Sequence, residues 1–341
     1  MTFLSITPKF NNKNLLEILI KNNSDQIFSA FKICFSLIYS IKSIKDARIS
    51  RQTGRYYELK TDDSNLPAHG SLLIALTLQE PRIGTYNMSC GPEGLFVIDE
   101  NEKIIQSLIN KLTFEKKIAQ TIYSTSYVNT SMPIIPEPLV VKLKNDFIKC
   151  NNDFFINDQR LLEIINVLSR HCLNLKINFN SKQGMLINFK KEELKTEEYA
   201  INILQDQILI IASDYGGRLY ALISLMHLIF FYRDKLPLGL IQDRPQFNWR
   251  GMHLDCARQF HSLDHIKRLL DYMVLFKLNR FHWHLTDNEA WRLDVKSFPN
   301  LAKQTSYRGY HEIIPPVYGT GYHRSGGFYS SKDVKEIIEY A

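Results

Sequence analysis

Between residues 252 and 286 the hydrophobic period changes twice. "MHLDCA" (252–257) alternates as a strand does. Ser262 stands where a helix N-cap belongs, and Ile266, Leu269, Leu270, Met273 and Phe276 line one helical face. "RFHWHLT" (280–286) then returns to a period of two. A chain that passes from strand to amphipathic helix to strand must cover a sheet with that helix, which commits this part to a parallel α/β arrangement. After a long loop, Ser330 and Asp333 form a capping-box pattern. Val334, Ile337, Ile338 and Ala341 follow at i, i+3, i+4 and i+7, a second amphipathic helix on which the sequence stops without a closing glycine, asparagine or basic turn.

The preceding residues follow other rules. Over residues 1–135 the pattern is β. "FKICFSLIYSI" (31–41) alternates through Phe31, Ile33, Phe35, Leu37, Tyr39 and Ile41, and "SLLIALTL" (71–78) and "GLFVIDE" (94–100) read as further strands, with "GPEG" as a turn. Short strands separated by turn clusters suggest a sandwich. The proline-rich "PIIPEPL" (133–139) marks a linker. Over 136–245 the elements mix. "DQRLLEIINVLSRHC" (158–172) has helical spacing, "LKINFN", "GMLINF", "EYAINIL" and "QILIIAS" are strand candidates, and "GGRLYALISLMHLIFFYR" is a helix apolar on all sides and therefore expected to be buried. The expected organisation is a multidomain chain: a sandwich over 1–135, an α+β domain over 136–245, and the beginning of a third, α/β domain over 246–341.

Composition narrows the function classes. Of the 341 residues, 45% are hydrophobic and 23% charged, enough apolar material for real cores. The net charge of +7 is spread along the chain, with no basic helix, zinc-finger spacing or aromatic–basic strand motif, so no nucleic-acid partner is expected. The five cysteines (Cys34, Cys90, Cys150, Cys172, Cys256) are scattered and form no CxxC pair, which argues against a disulfide framework and a zinc site. The first residues lack a basic region followed by an apolar core, and the longest apolar stretches (27–41, 219–232) fall short of a membrane span. At face value the chain reads as soluble and cytoplasmic.

The chemistry concentrates in "RFHWHLTDNEAWRLDV" (280–295), with its two histidines, two tryptophans and three carboxylates. On a strand, His282 and His284 point to one face and Trp283 to the other. Two buried histidines satisfied by neighbours are the commoner arrangement. An H-x-H strand can also be half of a metal site, whose further ligands the sequence does not name. Arg258 and Asp287 each lie just beyond the C-terminal end of a predicted strand, the edge where (β/α) barrels do chemistry. A guanidinium fork there can grip vicinal hydroxyls and a carboxylate can orient a histidine or amide. A purely structural ion pair is the competing reading.

At these residues the chain resembles the family 20 glycoside hydrolases, the β-N-acetylhexosaminidases and chitobiases. "DRPQFNWRGMHLDCARQFHSLDHIKRLLDYMVLFKLNRFHWHLTDNEAWRLDV" is similar to the first part of their barrel, and "PPVYGTG…GGFYSSKDVKEIIEYA" to the loop and helix that follow. The likeness is dense over 241–341, weaker over 138–240 and loose over 1–135, whose sandwich it makes a carbohydrate-binding-like candidate. The resemblance implies that 246–341 holds the first two β/α units of a (β/α)8 TIM barrel. It also implies a substrate, an N-acetylhexosamine-terminated oligosaccharide, and substrate-assisted retaining hydrolysis in which the C2 acetamido oxygen attacks the anomeric carbon, with no metal or other cofactor. Arg258 matches the family arginine that binds sugar hydroxyls, and Asp287 an aspartate that supports the acid through a histidine. "DNEAW" departs from the commoner "DDQGW", so Asn288, Glu289 and Ala290 carry no expected function, and Trp291 is expected to pack the loop. The family's catalytic Asp–Glu pair finds no counterpart, since the only such pair is Asp99-Glu100, in the wrong context. A chain of this length is therefore expected to hold a sugar-binding edge without a general acid. A non-catalytic carbohydrate-binding or scaffolding protein with a vestigial barrel, and a metal-dependent hydrolase built on His282 and His284, are the alternatives.

Overall fold

The computed structural model describes residues 3–12, 14–61, 65–79, 91–114, 132–171, 173 and 177–341. Cys90 and Cys172 lie outside them. Two compact units emerge. The first comprises 1–127, 255–260 and 285–332, the second 128–254, 261–284 and 333–341.

Among the described residues the first unit begins with eleven strands: β1 (Leu4–Asn12), β2 (Leu15–Asn22), β3 (Lys32–Ser36), β4 (Ile41–Lys45), β5 (Ala47–Thr53), β6 (Tyr56–Thr61), β7 (Ser71–Leu78), β8 (Glu93–Ile98), β9 (Ile104–Ile105), β10 (Ser107–Ile109) and β11 (Thr113–Phe114). They form two sheets. One runs β10-β1-β2-β7-β4, with β11 also on β1, and the other β5-β6-β3-β8-β9. Both contribute to one core. Leu16, Ile18 and Ile20 alternate inward from β2, and Ile33, Phe35, Leu59 and Val97 come from the other sheet.

Here the structure corrects one expectation. The alternation over 31–41 predicts a single strand, but β3 and β4 belong to different sheets. The chain crosses over at 37–40, where Leu37 N–H donates to Arg55 O (2.9 Å) and Gln79 N–H to Ser40 O (2.8 Å). An unbroken period of two cannot reveal such a handover, because both sheets bury the same face of the pattern.

The rest of this unit consists of short pieces: the hairpin β20 (Thr286–Asp287)/β21 (Ala290–Trp291), helix α4 (Leu301–Thr305), and the pair β22 (Tyr307–Arg308)/β23 (Ser325–Gly326). Loop 309–323 is held against the β3/β8 sheet. Phe96 meets Tyr310 and Tyr322 edge-on, with ring centroids 6.0 and 5.5 Å apart, and Ser36 Oγ donates to Pro316 O at 2.9 Å. Gly94 is required there. Its φ is +59°, and a Cβ would stand 2.5 Å from Gly319 O.

The second unit is built on the sheet β12-β17-β15-β16-β14-β13, made of β12 (Val140–Lys149), β13 (Phe154–Ile156), β14 (Met185–Lys191), β15 (Tyr199–Ile203), β16 (Gln207–Ala212) and β17 (Lys235–Asp243). Helices α1 (Gln159–His171) and α2 (Tyr215–Tyr232) share its core. The α2 helix is capped by Asp214, which accepts from Gly217 N–H at 2.7 Å. It is buried as expected from Tyr220 to Ile229, but its first turn is only partly buried and Phe230 and Phe231 in its last turn are exposed. The strand expected over "LKINFN" is reduced, among the described residues, to isolated bridges at Asn178 and Asn180.

In the same unit, β18 (Gly251–Asp255) pairs with β19 (Arg280–His284), and α3 (Leu263–Leu275) connects them. Ser262 caps α3 as the sequence predicts, accepting from His265 N–H. Its far end closes in a Schellman pattern, with Leu278 N–H on Met273 O and Lys277 N–H on Val274 O. Lysine, at φ +59°, occupies the place glycine usually takes. It stays because its side chain is held elsewhere. Lys277 Nζ donates to Tyr199 Oη (2.8 Å) and pairs with Asp243 (3.0 Å), so the ion pair fixes the end of α3 to β15 and β17. Helix α5 (Ser331–Tyr340) ends the chain, and its Glu336 and Tyr340 bond Lys267 and Asp271 of α3. Among the described residues no helix is long and apolar enough to cross a membrane.

Candidate functional site

Arg258 follows β18 by three residues, in the first unit. Its backbone N–H donates to Asp255 Oδ1 (3.0 Å), and its guanidinium pairs with Asp255 Oδ2 (3.0 Å). It also faces Glu289 Oε1 at 4.0 Å. The side chain is more than half exposed, so these pairs orient it more than they stabilise the fold. Hydrogen bonding with Tyr318, then the charge of Asp255, hold its pKa above the ordinary value.

Two buried arginines build the floor beneath it. Arg292 and Arg308 are each 1% exposed. Arg292 donates to the carbonyls of Cys256 (2.8 Å), Ala257 (3.2 Å), Gly327 (3.1 Å) and Ser306. Arg308 donates to those of Ala257 (2.6 Å), Glu289 (3.0 Å) and Arg258. Desolvation of a cation costs several kcal/mol, about what a set of charge-assisted bonds returns. The cost also shows in their acidities. Burial, and then the neighbouring Arg308, lower Arg292 to about 10, and burial lowers Arg308. Together the two forks bind residues 256–258, the hairpin turn and the β22/β23 pair into one frame that carries Arg258.

Glu289 sits in the two-residue turn between Asp287 and Ala290, which pair across the β20/β21 hairpin. Its Oε1 accepts from Tyr318 Oη at 2.7 Å, and its Oε2 is buried without a hydrogen-bond partner. Burial and the bond to Glu289 raise the Tyr318 pKa. Tyr318 has φ +55°, a strained conformation for an aromatic residue that persists only where the surroundings impose it. Its neighbour Gly319 is the residue packed on Gly94. The sheet of β3 and β8 thus delivers Tyr318 to Glu289 and Arg258.

The sequence-predicted residues fare unequally. Arg258 stands at the centre of this cluster. Asp287 is exposed, on the same hairpin, and accepts from Asn288 N–H at 2.7 Å. Glu289, to which no function was assigned, lies against Arg258. Trp291 donates from Nε1 to Leu293 O (2.7 Å), in keeping with loop packing. Sequence reasoning missed Arg292, Arg308 and Tyr318. The available signal was the run of arginines in loops rich in glycine and aromatic residues, which only contacts could turn into a frame. Asp99 accepts from the N–H groups of Asn101 and Lys103 (2.9 Å each), so the Asp99-Glu100 pair serves a turn.

The histidines belong to the second unit. His282 and His284 share a face of β19, as alternation predicts, but they are not buried. His282 is exposed and His284 half-buried. His253 of β18 joins them, with ring centroids 4.6 Å from His282 and 5.5 Å from His284.

Residues 247–341 match the glycosyl hydrolase family 20 catalytic domain. These residues carry the chain's likeness to glycosyl hydrolase family 20. Among relatives, the chain is 40% identical over 145 residues to a β-hexosaminidase of Vibrio furnissii, a stretch that covers 42% of this chain and 24% of that protein. It is 36% identical over 162 residues to an N,N'-diacetylchitobiase of Vibrio harveyi, covering 45% and 18%. Its fold is similar to that of an exo β-N-acetylglucosaminidase from Vibrio harveyi solved in complex with N-acetylglucosamine. The TM-score is 0.78 at 24% identity, over 99% of this chain and 55% of that one. The chain thus spans about half the length of that structure, and the matched stretches a quarter or less of the two relatives.

Proposed function

We propose that this chain contributes the sugar-holding edge of a β-N-acetylhexosaminidase acting on N-acetylhexosamine-terminated oligosaccharides by substrate-assisted retaining catalysis. The observation that carries the reading is the family match over the residues that bear Arg258, which the buried frame leaves exposed and oriented. In this reading Arg258 grips hydroxyls at the non-reducing end. Asp287 supports the acid, and Trp291 packs the loop behind them. The three-part organisation, 1–135, 136–245 and 246–341, with the last part as the first two β/α units of a TIM barrel, belongs to the same proposal. The 341 residues contain one adjacent Asp–Glu pair, which serves a turn, so assayed by themselves they hold sugar and do not cleave it.

The test pairs binding with turnover. Saturation-transfer NMR with N,N'-diacetylchitobiose should show contact with the wild-type chain. Arg258→Ala should weaken it by roughly ten- to a hundredfold, the loss of charge-assisted bonds of about 1.5–3 kcal/mol. Nitrophenyl N-acetylglucosaminide should not be hydrolysed. Sugar release by the chain would overturn the inactivity. Binding indifferent to Arg258→Ala would overturn the sugar edge and favour a non-catalytic role elsewhere on the chain.

A further inference from the structure

We infer that His253, His282 and His284 form an open binding site for a late first-row divalent cation, with zinc the natural occupant. One ligating nitrogen from each ring lies within 4.8 Å of the other two. Two ligands come from alternate positions of β19 and the third from its hydrogen-bonded neighbour β18. The backbone pairing therefore sets the spacing, not a loop. Tetrahedral zinc at about 2.0–2.1 Å from each nitrogen needs ligand atoms about 3.4 Å apart. Small ring rotations close the difference, and there is room for them: His253 and His282 line an open pocket of about 620 Å³ with Trp249, Met252, Arg280 and Phe281.

The donor set decides which ion. Three imidazoles favour zinc, copper, nickel and cobalt and discriminate against magnesium and calcium, which require oxygen. Three neutral ligands leave the dication's charge uncompensated and one coordination position open, so water from the pocket completes the tetrahedron. Arg280, which lines the same pocket, is stacked over the Trp249 ring at 5.7 Å. An ion here would tie β18 to β19 through their side chains. The inference does not depend on the sugar reading, because Arg258 contributes nothing to it.

Chelator-stripped 341-residue protein should bind one zinc ion by isothermal titration, and cobalt(II) should develop the visible absorption of a tetrahedral nitrogen site. His253→Ala and His282→Ala, on different strands and both exposed, should each weaken zinc binding by roughly ten- to a hundredfold or more, with circular dichroism unchanged. His265→Ala should leave affinity intact, and excess magnesium should not compete. Absence of zinc binding would overturn the site. So would binding that survives both substitutions, or binding lost with His265→Ala, which would place the ion on the His261–His265 pair.

Discussion

The two units bury cations by opposite means. In the first, Arg292 and Arg308 donate to backbone carbonyls gathered from separated segments. In the second, Lys277 is matched with the carboxylate of Asp243. The chemistry of the two side chains explains the division. A guanidinium presents five N–H donors in a planar fork and can hold several carbonyls at once, whereas an ammonium is a point charge that needs a counter-ion when buried. The first device organises loops with little regular structure. The second fixes a helix end to a sheet that is already regular.

The largest effect expected from this contrast is at Arg292. Arg292→Met should take a donor from the carbonyls of Cys256, Ala257, Ser306 and Gly327, although Ala257 keeps Arg308 and Ser306 keeps Gly327 N–H, at about 3 kcal/mol. Urea unfolding followed through Trp291, in a Trp249→Phe/Trp283→Phe background, reads the first unit alone. Arg292→Lys should not restore stability, because one ammonium cannot span those carbonyls. A loss below about 1 kcal/mol would show that the loops stand without the fork.

Next comes the ion pair. Lys277→Met should cost about 3 kcal/mol, because it takes the charge partner from the largely buried Asp243 carboxylate and leaves it the Tyr199 hydroxyl. The double substitution Lys277→Met/Asp243→Leu should regain most of that loss. A double-mutant cycle is the measurement, and additive effects would mean that the two residues act independently. No comparable rescue exists for Arg292, whose carbonyls cannot be mutated away.

The smallest effect concerns pH. Burial, and then the charge of Lys277, lower the His227 pKa to about 4. The unfolded chain, near 6.5, binds the proton more readily than the folded one, so the second unit should be fully stable above that value. It should lose up to about 3 kcal/mol as pH falls from about 6.5 to about 4. His227→Gln should flatten the slope over that window. A slope unchanged by the substitution would assign the acid sensitivity to other groups.

How much of this was legible depends on the range of the interaction. The cap at Ser262, the apolar face of α3 up to Met273, the strands around it and the shared face of His282 and His284 are set within a few residues, and the sequence pattern showed them, whereas Phe276 lies exposed at the C-cap and Leu275 is buried in its stead. The crossing at 37–40, the third histidine at 253, and the meeting of Tyr318 and Glu289 with Arg258 arise from residues distant in the chain. Glu289 is the instructive case. Its departure from the commoner motif removed it from consideration, and the hairpin turn then placed it beside the arginine.

What the sequence determined by itself, then, was periodicity, capping and the motif that bears Arg258, because each follows from local geometry and side-chain chemistry. What the tertiary structure alone decided was the company each polar group keeps. A buried arginine is tolerable only where carbonyls from separate segments converge on it, and a glycine such as Gly94 is needed only where another backbone comes within contact distance. Neither condition exists until the chain has folded.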